Sequence, residues 1–174
     1  MKKLLSLLIV IIGVNINAQT SIGAGFFTGL DGGGLSALEI NSEFALADGQ
    51  YSISPSLDYY MGLSDKYETG DLLPSSLIGI NVDAHYNLGD FESVNYYPLV
   101  GIRYQMGSLN YPGNAYLGLK AQKVKFNNFG FSLGGGLTYS LSGNLKIIGE
   151  VKYLIIKDYG GLGILTGLLI NIGG

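Results

Sequence analysis

The chain has no cysteine, a single histidine, four prolines and few charges: Asp, Glu, Lys and Arg together make up 13% of its 174 residues. Without cysteine there is no disulfide staple, no thiol nucleophile and no Cys-ligated metal. Without a basic run, and with 10 Lys and Arg against 13 Asp and Glu, the chain is a poor partner for nucleic acid. Long hydrophobic runs are scarce too. After the amino-terminal segment, no apolar stretch approaches the roughly 20 residues that a membrane helix needs. What remains is 28 glycines, 13 tyrosines and a positive mean hydropathy of +0.31. A chain that is hydrophobic overall, yet has no helical span, points to a β-barrel.

The amino terminus reads as a secretory signal peptide. Lys2 and Lys3 precede an apolar core, Leu4 to Val14, which is too short to cross a bilayer as a helix, and Asn17-Ala18-Gln19 offers a cleavage point after Ala18. Residues 1–18 are therefore set apart from a single domain, 19–174. Its balance is 8 basic residues against 13 acidic.

The clearest pattern lies between Phe129 and Ile156. Gly135, Leu137, Tyr139 and Leu141 alternate with Ser132, Gly134, Gly136, Thr138 and Ser140. After Ser142-Gly143-Asn144, Ile147, Gly149, Val151, Tyr153 and Ile155 alternate with Lys146, Ile148, Glu150 and Lys152. Side chains alternate faces along a strand, so this is a hairpin with one apolar and one polar side. Its arms, about ten residues or longer, suit a tilted membrane-crossing strand. Six further segments follow the same rule: Ser21–Leu30, Leu35–Leu46, Tyr51–Met61, Ser76–Leu88, Tyr96–Met106 and, more weakly, Leu162–Ile172. Pro55 falls inside the third, where it costs a ladder hydrogen bond and predicts a bulge or local irregularity.

The expected fold is all-β: an eight-stranded antiparallel up-and-down transmembrane barrel after a cleaved signal peptide. Turns near Ala47, Asp90 and Ser142 are short or moderate, whereas Gly62 to Ser75 and Gly107 to Asn128 are long. Short turns face the periplasm and long loops the outside, which places the amino terminus in the periplasm. Outward aromatics form two groups: Phe44, Tyr51, Tyr86, Tyr96 and Tyr139 toward the short-turn rim, and Phe26, Tyr59, Tyr104 and Tyr153 toward the other. Two membrane interfaces select two such belts.

The hairpin's Gly134, Gly136, Tyr139, Asn144, Glu150 and Tyr153 resemble the penultimate hairpin of small outer-membrane barrels, the OmpA-like and OmpW/OmpX-like porin-family domains. The signal sequence ending Ala-Gln resembles those of Bacteroidetes exported proteins. The resemblance implies residence in the outer membrane, contact with its lipid and lipopolysaccharide, insertion by the barrel-assembly machinery, and a monomer. The chain departs from the family in ending Ile170-Asn171-Ile172-Gly173-Gly174 instead of on an aromatic residue.

At this strand number side chains fill the interior. The inward Glu39, Glu43, Asp58, Asp83, His85, Arg103, Lys146, Glu150 and Lys152 read as a lumen ion-pair network, with Glu150 paired to Arg103 or to a lysine. His85 beside Asp83 is too sparse for a metal site. Catalysis is not expected: residue 87 is Asn where a His-x-Ser arrangement would place a nucleophile, and no G-x-S-x-G elbow exists. Gly134-Gly135-Gly136 lies mid-strand, with no following helix or Lys-Ser, so it reads as a place where strands bend and not as a phosphate loop. No cofactor is implied. Alternation around Tyr116 to Phe126 suggests strands that continue beyond the membrane as a ribbon, where Lys120, Lys123 and Lys125 could meet lipopolysaccharide phosphates or blunt a sheet edge. The expected role is structural or surface-interacting, with a plugged lumen. A narrow porin-like channel for small solutes or hydrophobic molecules, and a soluble lipocalin-like binder, are the alternatives.

Overall fold

The computed structural model describes residues 20–30, 35–46, 49–61, 75–111, 120, 122–157 and 160–173. The signal segment, most of the Gly62–Ser75 loop and the tip of the Gly107–Asn128 connection lie outside these residues. Nine strands follow one another: β1 (Thr20–Gly29), β2 (Ser36–Leu46), β3 (Tyr51–Met61), β4 (Ser76–Tyr86), the two-residue β5 (Asp90–Phe91), β6 (Val94–Tyr111), β7 (Gln122–Ser142), β8 (Leu145–Ile156) and β9 (Gly161–Gly173). Each long strand pairs antiparallel with its neighbours, β4 pairs with β6, and β9 returns to β1. The sheet is thus a closed, eight-stranded up-and-down barrel, with β5 a stub on the β4–β6 turn. No described helix is long and apolar enough to cross a membrane.

Alternation decides what each strand does. In β4, Leu77, Gly79, Asn81, Asp83 and His85 are buried while Ser76, Ile78, Ile80, Val82, Ala84 and Tyr86 are exposed, and β3 repeats the pattern in register. The faces expected from sequence hold on all eight long strands. The inverted arrangement, polar within and apolar without, is stable only where the outer surface meets lipid. Ile40, Leu57, Val100, Leu133 and Ile155 lie on that outer wall, all of them exposed. Tyr59, 60% exposed, belongs to the belt on the long-loop side, and Tyr51, packed on Tyr86 at 5.2 Å, to the belt on the short-turn side.

Pro55 causes a local irregularity and not a bulge. The β2–β3 ladder runs to Asn41 opposite Ser56 and resumes at Phe44 opposite Ile53 in the same register, so only the pairs of Pro55 and Ser54 with Ser42 and Glu43 drop out. Proline lacks the N–H that one bond needs, but its φ is compatible with an extended chain, and the β4 side pairs Pro55 with Val82 normally. Register shifts occur instead at Thr20/Ser21 and Ser140/Ser142, both on the short-turn rim.

The expected connection Gly107–Asn128 is largely strand. β6 and β7 pair continuously from Val94–Tyr139 to Tyr111–Gln122. Their outermost residues rise above the rest of the sheet, because β4 accompanies β6 only as far as Ser108 and β8 accompanies β7 only from Gly130. The result is a two-stranded ribbon on the long-loop rim.

Candidate functional site

The lumen is layered along the barrel axis. In its middle, Arg103 on β6 donates from Nη1 to Asp58 Oδ2 on β3 at 3.2 Å, and Asn81 Nδ2 on β4 donates to the same oxygen at 2.9 Å. Lys152 on β8 lies between two acids, 2.8 Å from Asp83 Oδ2 and 2.6 Å from Glu150 Oε2. Ser132 donates to Asp83 Oδ1 at 2.6 Å, and the Tyr97 hydroxyl donates to Glu150 Oε1 at 2.8 Å. All of these side chains are buried. Glu150 therefore meets a lysine, and Arg103 serves Asp58.

The remaining lumen residues divide. His85 stacks on Tyr97 at 4.5 Å with Nδ1 3.7 Å from Glu43 and Nε2 3.8 Å from Glu150, and Ser52 donates to Glu43 at 2.7 Å. Asp83, adjacent to His85 in alternation, turns instead to Lys152. Among the described residues Glu39 accepts from Asn41 Nδ2 alone, at 3.1 Å. Lys146 makes no ion pair within 4 Å among the described residues. It lines a polar cavity of about 320 Å³ at the short-turn mouth with Glu43, Asn87, Glu92, Asn95 and Thr138. No group of three or more His, Asp or Glu among the described residues is arranged to hold a metal.

Toward the ribbon rim the interior changes character. Phe27, Ala37, Tyr60, Leu77, Leu154, Ile156 and Leu165 form a buried cluster, with Leu35 and Phe126 packed against it. All point inward from the halves of their strands nearest that rim. Sequence reading assigned the lumen to charged groups and missed this layer. Its signal was Phe27, Leu77, Leu154 and Leu165, apolar residues on the inward phase of strands whose outward phase was already apolar. Arg103 bridges the layers, its guanidinium 5.8 Å from the Phe27 ring.

Glycines make this filling possible by leaving room. A Cβ on Gly101 would lie 1.8 Å from Asp83 Oδ1 and 2.5 Å from Ser132 Oγ. One on Gly136 would lie 2.7 Å from the Tyr97 ring and 2.8 Å from Glu150 Cγ. In a narrow barrel, large inward side chains need small ones opposite.

Outside the lumen, Lys123 and Lys125 are exposed on the β7 arm of the ribbon, and Lys120 is exposed just before it. Both ribbon lysines share the outward phase of Phe129 and Phe131, whose rings meet edge-on at 5.4 Å. Cationic ammonium groups thus stand above the aromatic belt, where lipid headgroups begin.

No family model matches the chain, and no curated protein matches it. Solved structures do. Neisserial surface protein A (NspA) superposes with a TM-score of 0.64 at 12% identity, over 90% of this chain and 97% of that one. Ail, the attachment invasion locus protein of Yersinia pestis, gives 0.59 at 15% identity over 89% and 97%. The N-terminal β-barrel domain of Pseudomonas aeruginosa OprF gives 0.55 at 15% identity over 89% and 99%. At such identities the likeness is one of fold, and that fold is the small eight-stranded barrel of outer-membrane proteins.

Proposed function

We propose that this protein is an integral outer-membrane barrel with a plugged lumen, acting as a structural or surface-interacting element and not as a conduit. The observation that carries this reading is the layered interior: an ion-paired middle backed by the apolar cluster of Phe27, Tyr60, Leu77, Leu154 and Leu165 toward the ribbon rim. An apolar constriction disfavours hydrated ions, and paired charges tie down the side chains that would have to move aside. The exposed Ile, Leu, Val, Phe and Tyr of the outer wall favour lipid over water around the barrel, which weighs against a soluble lipocalin-like carrier.

In this reading the short turns face the periplasm and the β6–β7 ribbon stands outside, where Lys123 and Lys125 meet lipopolysaccharide phosphates and the ribbon presents a surface to a ligand. The polar cavity at the short-turn mouth favours the second reading, a narrow pore. Planar-bilayer recording separates the two. The plugged barrel gives no unitary conductance above the lipid baseline, whereas discrete openings that increase when Leu77 and Leu154 are both replaced by Ala would establish the pore.

A further inference from the structure

Deep in the barrel each permanent cation has its acid, Arg103 with Asp58 and Lys152 with Asp83 and Glu150. Lys146 breaks this rule. It is half-buried on the inward face of β8 and has no acid within 4 Å among the described residues, yet it lines the short-turn cavity together with Glu43. Two opposite charges that share a cavity of about 320 Å³ without pairing leave space between them for something polar. Other groups around that space also lack partners. The contacts of Glu43 with His85 and Ser52 both use Oε1, which leaves Oε2 for a ligand. Asn95 Oδ1 is buried without a donor. Thr138 and Ser140 present hydroxyls from β7, where the register sets Thr138 opposite Asn95 and Ser140 opposite Lys146. Tyr97, tied to Glu150 and stacked on His85, closes the inner end, and Glu92 stands exposed at the rim.

We propose that this cavity binds a small zwitterion: a free amino acid or dipeptide that carries both an ammonium and a carboxylate group. Its carboxylate meets the Lys146 ammonium and accepts from the Thr138 and Ser140 hydroxyls. Its ammonium donates to Glu43 Oε2 and to Asn95 Oδ1, the acceptor left without a donor. A simple anion would leave Glu43 unpaired, a simple amine would leave Lys146 unpaired, and a neutral polyol would leave both. Only a molecule with both charges satisfies the two walls, and in a confined space an unpaired charge is costly. The volume lies at the lower end of small-molecule pockets, which suits a ligand of this size and excludes a folded partner. The inference rests on the closed barrel and holds whether the lumen beyond Tyr97 is plugged or conducts.

The test is ligand-detected NMR on the protein folded in detergent, with glycylglycine as the probe. Saturable binding in the millimolar range is expected for a ligand of so few atoms. N-acetylglycylglycine and glycylglycine amide each lack one charge and should bind about tenfold more weakly, the loss of one charge-assisted hydrogen bond. Lys146→Met and Glu43→Gln should weaken glycylglycine binding by a similar factor, and glycerol should not compete. Lys123→Gln with Lys125→Gln, outside the lumen, should leave binding unchanged. The mobility of unheated samples on gels shows that each variant is folded. If Glu43→Gln does not fold because His85 loses its neighbour, Lys146→Met, which breaks no ion pair, still decides the matter. Absence of saturable binding, equal binding of the three peptides, competition by glycerol, or full binding in Lys146→Met would overturn the proposal. Conductance, recorded separately, reports on the lumen and not on this site.

Discussion

Lys152 is the residue on which most of the lumen chemistry converges, because Asp83 and Glu150 depend on one ammonium group. Replacing it with Met keeps the aliphatic stem but strands two buried carboxylates, which costs about 3–5 kcal/mol where a buried pair is broken from one side. Denaturant titration of the folded protein in detergent should show a loss of that order for Lys152→Met. A loss below ~1 kcal/mol would mean that solvent already reaches these acids. Gly101 makes the complementary point. Gly101→Val adds volume where Asp83 Oδ1 and Ser132 Oγ already lie within contact distance of the missing Cβ. Overpacking of this kind costs about 1–3 kcal/mol, and here it also pushes Asp83 away from Lys152. The same titration checks it, with exposed Gly143, which has open space around its Cβ position, as the control.

Among the elements, the β6–β7 ribbon is separable from the barrel. Among the described residues its outer pairs, Leu109–Val124 to Tyr111–Gln122, have no third strand on either side, whereas every pair below Gly130 does. A two-stranded ribbon is marginally stable in water by itself, so its ordering depends on continuity with the wall beneath. Replacing residues 110–122 with a short Asn-Gly turn should leave the barrel's unfolding midpoint within about 0.5 kcal/mol of wild type. Binding to lipopolysaccharide-containing vesicles should fall, and Lys123→Gln with Lys125→Gln should reproduce part of that fall, most clearly at low salt. Unchanged vesicle binding in both variants would remove the ribbon from the account of function.

As a whole molecule the barrel has no free sheet edge in its wall, since β1 and β9 pair over ten positions, Thr20 to Gly29. Closure makes unfolding cooperative and leaves the folded form compact even in mild detergent. Unheated samples should therefore migrate differently from boiled ones on gels, and fractionated cells should yield the protein with the outer membrane. Recovery as a soluble periplasmic protein would sink the membrane assignment. The eight-stranded wall of NspA and Ail, matched here at 12% and 15% identity, shows how little of such a fold depends on particular residues.

That independence explains what could be read without coordinates. Period-two alternation is local, so strand positions, faces, strand number and the two aromatic belts were determined by the sequence: β3 begins and ends at Tyr51 and Met61 as alternation required, and the apolar phase is the outer wall throughout. Ion-pair partners were not determined, because alternation says which residues face inward but not their height on the axis. Strand stagger sets that height, and it put Arg103 level with Asp58 and Lys152 between Asp83 and Glu150. The apolar layer around Phe27 and Leu77 emerged only when six strands from distant parts of the chain contributed inward residues to one level. Glu39 was visible as an inward acid, but that it makes no ion pair within 4 Å among the described residues is a fact of three dimensions: charge compensation in a closed lumen is decided by distances across the barrel, not along the chain.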